Sequence, residues 1–250
     1  MTDTTCDAFL GGRLTLEQPA RGYRAGFDPV LLAAAVKARA DETVLELGCG
    51  AGAALLSLGT RVPGLALHGV EVQPAYAELC RRNAARNGIQ ATIWDGDLRA
   101  LPPALNNMTF HHVLANPPYF EAGRGKSSTL HDRDLALRGD TTTADWIETA
   151  TRRLRPKGWL TLIHKADRLH DVLRAMDDRL GAVSVHPITG RAGRPADRVL
   201  IRARKGARGP FRLHPPIHLH DGPQHRSDQP DYRPEIGAIL RDGASFPLPD

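Results

Sequence analysis

Val44-Leu45-Glu46-Leu47-Gly48-Cys49-Gly50-Ala51-Gly52 decides how this chain is read. An apolar run ends in three alternating glycines, and a helical period, Ala53–Val62, begins at once. Glycine lets the backbone turn with positive φ and lets a ligand approach where a Cβ would stand. Outward from this corner, short apolar runs alternate with helical periods. Strands are predicted at Thr43–Leu47, Leu65–Val70, Ile89–Trp94, His112–Ala115 and Trp159–His164. Helices are predicted at Pro74–Asn87, Ala144–Leu154 and Asp167–Leu180. The alternation predicts right-handed βαβ units and an α/β fold with a doubly wound, mostly parallel sheet. Val183–Pro187 and Arg198–Arg204, joined only by a loop, predict an antiparallel pair at its far edge.

The flanks read differently. Residues 1–27 show no clean periodicity, and "QPARGYRAGFDP" (18–29) is rich in turn formers. Asp28-Pro29 is a helix cap followed by a first-turn proline, opening Val30–Arg39. From Gly206 onward Pro, His, Gly and Asp dominate and predict an extended tail. The expected division is a segment 1–40 packed on the ligand site, a core domain 41–205 and a tail 206–250. Glu121–Gly139 is too polar for core and too long for a routine connection, which marks it as a functional loop.

Composition bounds the classes. With 41% hydrophobic and 24% charged residues, 250 residues exclude a wholly disordered chain. No window approaches eighteen apolar residues, and Met1–Phe9 is polar, so neither a membrane span nor a signal peptide is expected. Cys6, Cys49 and Cys80 form no C-x-x-C pair, which argues against disulfides and structural zinc and for a reducing, cytoplasmic compartment. The net charge of +5 permits a polyanionic partner without naming one.

The glycine corner admits two ligands. Gly48-x-Gly50-x-x-Ala53 satisfies a dinucleotide fingerprint. Gly48-x-Gly50-x-Gly52 preceded by Glu46 fits an S-adenosylmethionine loop, where an acidic residue suits a cationic ligand. Glu71, closing the second core strand, suits the ribose hydroxyls of either. Asp97 is placed to accept from an adenine amino group, with Asp95 as its competitor. Asn116-Pro117-Pro118-Tyr119 decides between them, because it follows a strand at the carboxyl edge of the sheet. The prolines stiffen the segment and point a carbonyl outward. The Asn116 side-chain oxygen and that carbonyl then converge on one amino group. Accepting both its hydrogens localises the nitrogen lone pair for attack on an electrophilic methyl. Tyr119 offers a stacking face for a planar substrate.

Glu46–Gly52, Glu71, Asp97 and Asn116–Tyr119, in this order, resemble the class I S-adenosylmethionine-dependent N-methyltransferases. "QPARGYRAGFDPVLLAA" (18–34) and "ITGRAGRPADRVLIRARKG" (188–206) look like one subgroup, the bacterial tRNA(Val) adenine-N6 methyltransferase family. That family modifies the adenosine 3′ of the anticodon. The resemblance covers roughly residues 18–240. It implies a seven-stranded sheet with the last strand inserted antiparallel, and S-adenosylmethionine as cofactor. Glu46, Gly48, Gly50, Gly52, Glu71, Asp97 and Asn116 would hold that cofactor, with Arg24, Phe27 and Asp28 closing over it. Asn116, the carbonyl of Pro117 and Tyr119 would act on a splayed-out adenine of tRNA, with no metal and no covalent intermediate. Glu46 and Glu71 stand where many relatives carry Asp, and the insert after Tyr119 matches nothing recognisable.

Residues 191–212 hold eight basic residues against one acid, Asp197, so the remaining 228 sum to −2. Arg191, Arg194, Arg198, Arg202 and Arg204 are therefore expected to track RNA, with Val199, Ile201 and Ala203 on the opposite strand face. Arg124, Lys126, Arg133 and Arg138 form a second basic group. His214, His218, His220 and His225 lack ligand-like spacing, and no metal is expected. Two alternatives stand beside the leading one. A release-factor glutamine methyltransferase uses the same four-residue motif, although about 40 residues ahead of the first core strand are few for its usual helical domain. An inactive RNA-binding relative is the other. The oligomeric state, monomer or homodimer, stays open.

Overall fold

The computed structural model describes residues 3–118, 141–222, 224 and 231–248. The chain opens with an antiparallel hairpin, β1 (Thr4–Phe9) and β2 (Leu14–Pro19), where the sequence showed no period. Helix α1 (Asp28–Ala35) leads into β3 (Thr43–Leu47), α2 (Ala53–Arg61), β4 (Ala66–Glu71), α3 (Pro74–Arg86) and β5 (Ala91–Asp95). A short α4 (Pro103–Asn106) precedes β6 (Phe110–Ala115). After it come α5 (Thr143–Arg153), β7 (Leu154–Lys165), α6 (Leu169–Ala175), β8 (Leu180–Thr189) and β9 (Arg198–Lys205). Two-residue strands β10 (Arg212–Leu213) and β11 (Ile217–His218) and helix α7 (Pro234–Asp242) complete it.

The main sheet runs β10-β8-β9-β7-β6-β3-β4-β5, with β11 also beside β8. Strands β5, β4, β3, β6 and β7 are mutually parallel, and β9 is antiparallel to both its neighbours. The seven-stranded, mostly parallel sheet is thus present and is extended by β10 and β11. The antiparallel strand, β9, lies between β7 and β8, inside the edge that β10 and β11 form.

Both faces of the sheet are covered, so its strands read as nearly continuous apolar runs. On β3, Val44 joins a core formed with α1, α2 and α3, while Leu45 and Leu47 join one formed with α4, α5 and α6. Register fixes the working rim. Leu47 pairs with Val70 on one side and Ala115 on the other, and Glu71 pairs with Asp95. Gly48, Glu71, Gly96 and Asn116 therefore emerge along one edge.

Three expectations change. The tail is not simply extended: α7 buries Ile236 and Ile239, and Phe246 and Leu248 pack behind it. Its signals were a first-turn proline and Gly243 at φ +63 past its end, hidden in a Pro- and His-rich context. Helix α6 stops at Ala175 because Leu180 begins β8. The hairpin was missed because its partner is remote. Asn87 accepts from the Thr15 amide (2.9 Å) and donates to its carbonyl (2.8 Å). Asn83 does the same for Glu17 (2.7 and 2.9 Å). Two carboxamides one helical turn apart thus serve alternate residues of β2 as a neighbouring strand would. The Asn83 amide also donates to the Ala51 carbonyl of the glycine corner (2.9 Å).

Asn83 is fully buried. Replacing it with alanine removes three bonds and leaves buried backbone groups unsatisfied. Asn83→Ala is expected to cost about 2–4 kcal/mol in urea denaturation.

Candidate active site

A cavity of about 160 Å³ opens at the rim where β3, β4 and β6 end. The glycine corner, Glu46, Glu71, Asp97, Asn116, Pro117 and Pro118 line it, as do Tyr23 and Trp146. The sequence elements singled out separately thus meet in one place.

The three glycines have different reasons. All carry positive φ: +62 at Gly48, +53 at Gly50 and +92 at Gly52. A Cβ on Gly48 would stand 2.5 Å from the Trp146 ring, so this glycine lets the indole of α5 close on the corner. A Cβ on Gly52 would stand 2.7 Å from Cys80 Sγ, so Gly52 serves packing of α2 against α3. Only Gly50 faces open space, with nothing within 4 Å of the added atom. Of the three, Gly50 alone leaves its side of the corner open to the cavity. Cys49 is buried, with its Sγ beside Gly69, and hydrogen bonding to Cys80 together with burial pushes its thiol well above the usual range. It is a filler rather than a nucleophile.

The carboxylates are held by backbone. Glu71 accepts from the Gly50 amide (2.9 Å) and the Gln73 amide (3.0 Å), one bond to each oxygen. Each oxygen retains a lone pair for a ligand hydroxyl. Glu46 accepts from the Leu55 amide in the first turn of α2 (2.8 Å), and burial pushes its carboxyl well above 4.5. A buried acid of this kind favours a cation beside it. Between the competing aspartates, Asp97 lines the cavity and is held by Arg99 (2.6 Å), whereas Asp95 pairs with Arg81. Arg99 also lowers the Asp97 pKa, chiefly through the side-chain hydrogen bond.

Asn116, Pro117 and Pro118 follow β6 directly into the cavity. Tyr119, the insert Glu121–Gly139 and its basic group lie outside the described residues, as does His225.

The N-terminal segment crosses the cavity mouth by a different set of contacts from those expected. Arg24 pairs with Asp7 (2.6 Å), and Asp28 pairs with Arg198 (2.6 Å), whose guanidinium lies 4.9 Å from the Phe27 ring centre. These residues anchor the strap at its two ends. Tyr23 and Ala25 between them line the cavity, fixed by Tyr76 Oη donating to the Tyr23 carbonyl (3.1 Å) and the Ala25 amide donating to Gln18 (2.7 Å). Tyr76 and Trp146 carry no motif of their own, and Tyr23, although inside the 18–34 stretch, is marked there by nothing over its neighbours.

The expectation for the arginines needs correction. Arg202 is only 2% exposed, because β9 is an interior strand and both its faces are covered. Arg191 pairs with Asp231, and Arg198 with Asp28, so both tie the chain to itself. Arg204 donates to the Lys157 carbonyl (3.1 Å), and Arg194 remains exposed. The histidines also tie the tail. His218 meets Thr189 (3.0 Å), His220 meets Asp231 (2.6 Å), and His214 stacks on His186 at 4.1 Å. Among the described residues no three metal-ligating side chains cluster. No helix among them is long and apolar enough to cross a membrane.

Residues 27–191 match the model of the methyltransferase small domain. The chain belongs to that family. This methyltransferase is 30% identical over 179 residues to a tRNA1(Val) (adenine(37)-N6)-methyltransferase of Porphyromonas gingivalis, covering 66% of this chain and 68% of the relative. It is also 30% identical over 125 residues to a release factor glutamine methyltransferase of Geobacter sulfurreducens, covering 47% and 43%. Among solved structures, it matches a predicted O-methyltransferase of Agrobacterium tumefaciens. The TM-score is 0.71 at 26% identity, with 88% of this chain and 98% of the other covered.

Gly48 and Gly50 separate by substitution. Both alanine variants carry a left-handed penalty of about 1–2 kcal/mol. Gly48→Ala is expected to cost a further 1–3 kcal/mol, roughly, by displacing Trp146. The check is a pair of denaturation curves with tryptophan emission, which changes in the native state of Gly48→Ala alone.

Proposed function

We propose that this methyltransferase uses S-adenosylmethionine to methylate the N6 amino group of an adenine in tRNA, the adenosine 3′ of the anticodon of tRNA(Val). One observation carries the reading: Asn116 and its two prolines open into the same cavity as Glu46, Gly50 and Glu71. The tRNA1(Val) (adenine(37)-N6)-methyltransferase relative supports the substrate. A tRNA substrate fits a cytoplasmic protein.

The residues present fit the cofactor. Gly50 leaves room for close approach, Glu71 keeps lone pairs for ribose hydroxyls, and Glu46 holds a buried carboxyl beside the space. Asp97 takes the adenine end and Asn116 borders the reacting end. When bound, the cofactor supplies a methyl group on a positively charged sulfur. The Asn116 side-chain oxygen and the Pro117 carbonyl accept the two hydrogens of the target amine, so its lone pair localises on nitrogen. Pro117 is buried and Pro118 follows it, which keeps these acceptors from relaxing toward each other. Tyr119 stacks on the base. Positioning and electrostatics supply the acceleration.

The glutamine methyltransferase relative favours a second reading, in which the accepting nitrogen belongs to a protein amide. Incubation with labelled cofactor and separate pools of tRNA, protein and DNA decides between them. N6-methyladenosine formed in tRNA alone is expected; label on protein glutamine would overturn the tRNA reading.

Asn116→Ala is expected to lower methyl transfer at least a hundredfold, roughly, while cofactor affinity by calorimetry stays within about threefold. Equal loss of both would remove Asn116 from the chemistry. Glu46 makes cofactor binding pH-dependent. Its carboxyl ionises well above 4.5 in the free protein, so binding a cation requires a proton to leave at low pH. Affinity for S-adenosylmethionine should therefore rise as pH increases from 4.5, and more steeply than for the uncharged thioether product. Parallel slopes for the two ligands would refute this role.

A further inference from the structure

One wall of the cavity is formed by Gly96, Asp97 and Leu98, in the turn between β5 and α4. That turn is fixed from several sides. The Gly96 amide donates to the Glu71 carbonyl (3.0 Å), and the Ala100 amide donates to the Asp97 carbonyl (2.9 Å). From α5, the Thr149 hydroxyl donates to the Leu98 carbonyl (3.0 Å) in a buried bond. A Cβ on Gly96 would stand 2.8 Å from Pro102 Cδ, so the chain folds tightly on itself here. With the backbone held, the freedom left to Asp97 is rotation of its carboxylate.

Arg99 removes that freedom. Its backbone amide donates to Asp97 Oδ1 (2.8 Å), and its Nη2 donates to Oδ2 (2.6 Å). Its Nε lies 3.1 Å from each of the two oxygens and is shared between them. Three N–H groups of one residue thus grip both oxygens, which fixes the plane of the carboxylate as well as its position. A carboxylate offers about four lone-pair positions, so one is left over. Because Asp97 lines the cavity, that position is open to a ligand there. The Arg99 side-chain hydrogen bond also holds the Asp97 carboxyl below its usual range, which keeps the group a pure acceptor.

Stability does not account for the arrangement. The side chains of Arg99 and Asp97 are 43% and 31% exposed, and pairs so open to water add little to folding. The same device occurs a second time, where Arg179 grips Asp177 through its backbone amide, Nε and Nη2. Asp177 is not among the described residues that line the cavity. There the device is a plain turn. At Asp97 it presents its last acceptor to the space that takes the cofactor.

A carboxylate reduced to one acceptor distinguishes ligands by one group. An amino group on a purine supplies the N–H that it needs. An oxo group at the same place sets oxygen against oxygen and leaves the carboxylate unpaired.

We propose that Arg99 is a positioning residue: it locks the Asp97 carboxylate with one acceptor left over, and so makes the site select a cofactor with a 6-amino purine over one with a 6-oxo purine. The proposal rests on Asp97 taking the adenine end of the cofactor, as stated above. It adds a residue that acts on the cofactor only through its neighbour.

Calorimetry with two thioether ligands tests it. S-adenosylhomocysteine and S-inosylhomocysteine differ only in the 6-amino and 6-oxo groups of the base. Neither carries charge on sulfur, so the Glu46 effect cancels in the ratio of their affinities. The wild type should bind the amino ligand about 10–100-fold more tightly. Arg99→Ala should lower that ratio at least fivefold, roughly, and Arg99→Lys, which keeps the charge without the fork, should lower it as well. Arg179→Ala removes the matching fork at Asp177 and should leave the ratio within about twofold. A high wild-type ratio that persists in Arg99→Ala, or that Arg99→Lys restores in full, overturns the proposal. So does an equal fall in Arg179→Ala, which would mark general loosening. A wild-type ratio near one would overturn the placement of adenine at Asp97 itself, and the proposal with it.

Discussion

The alignment of three strand ends governs the molecule. Because Leu47 pairs with both Val70 and Ala115, the chain leaves β3, β4 and β6 at the same height. A one-residue slip in either pairing would turn every side chain of a strand to the other face. It would also separate Glu71 from the Gly50 amide, a bond that spans two strands at 2.9 Å. The apolar cores on both faces hold that register. The site is thus secured by residues that never touch a ligand, such as Val44, Leu45 and Leu114.

Much of this was visible in the chain itself. Strand and helix periods around Val44–Gly52 were strong because a parallel sheet covered on both faces leaves little choice of residue. Glu71, Asp97 and Asn116 were legible because each stands at a strand's carboxyl end or within two residues of it, and strand ends in such folds face the ligand. What stayed hidden depended on partners far away in sequence. Nothing local marks Trp146 as the neighbour of Gly48, or the Asn83 and Asn87 carboxamides as a substitute strand for β2. The glycine corner was read as one motif, yet its members divide between packing and ligand access. That division is set by Cys80 and Trp146, which lie 28 and 94 residues after Gly52.

The basic stretch 191–212 shows the same limit from the other side. Charge counting located the excess, but part of it is used inside the fold: Arg202 is buried, and Arg191 and Arg198 pair with acids of the same chain. Alternation in a single strand predicts one wet face only if that strand has a face to spare. β9 has none, so Arg202 is buried on an indole and Arg198 becomes the anchor of the N-terminal strap. An arginine-rich strand can be a structural element whose guanidinium groups substitute for apolar packing, with long stems buried along neighbouring rings.

The asparagine ladder between β2 and α3 has a consequence for how the chain folds. Thr15 and Glu17 find their partners 72 and 66 residues later. Closing loops of that length is slow, and such contacts form after the local ones. During synthesis the hairpin must therefore wait, unpaired on its outer edge, until α3 exists. Its docking then secures the strap and, through the Asn83 bond to Ala51, the glycine corner in a single late event.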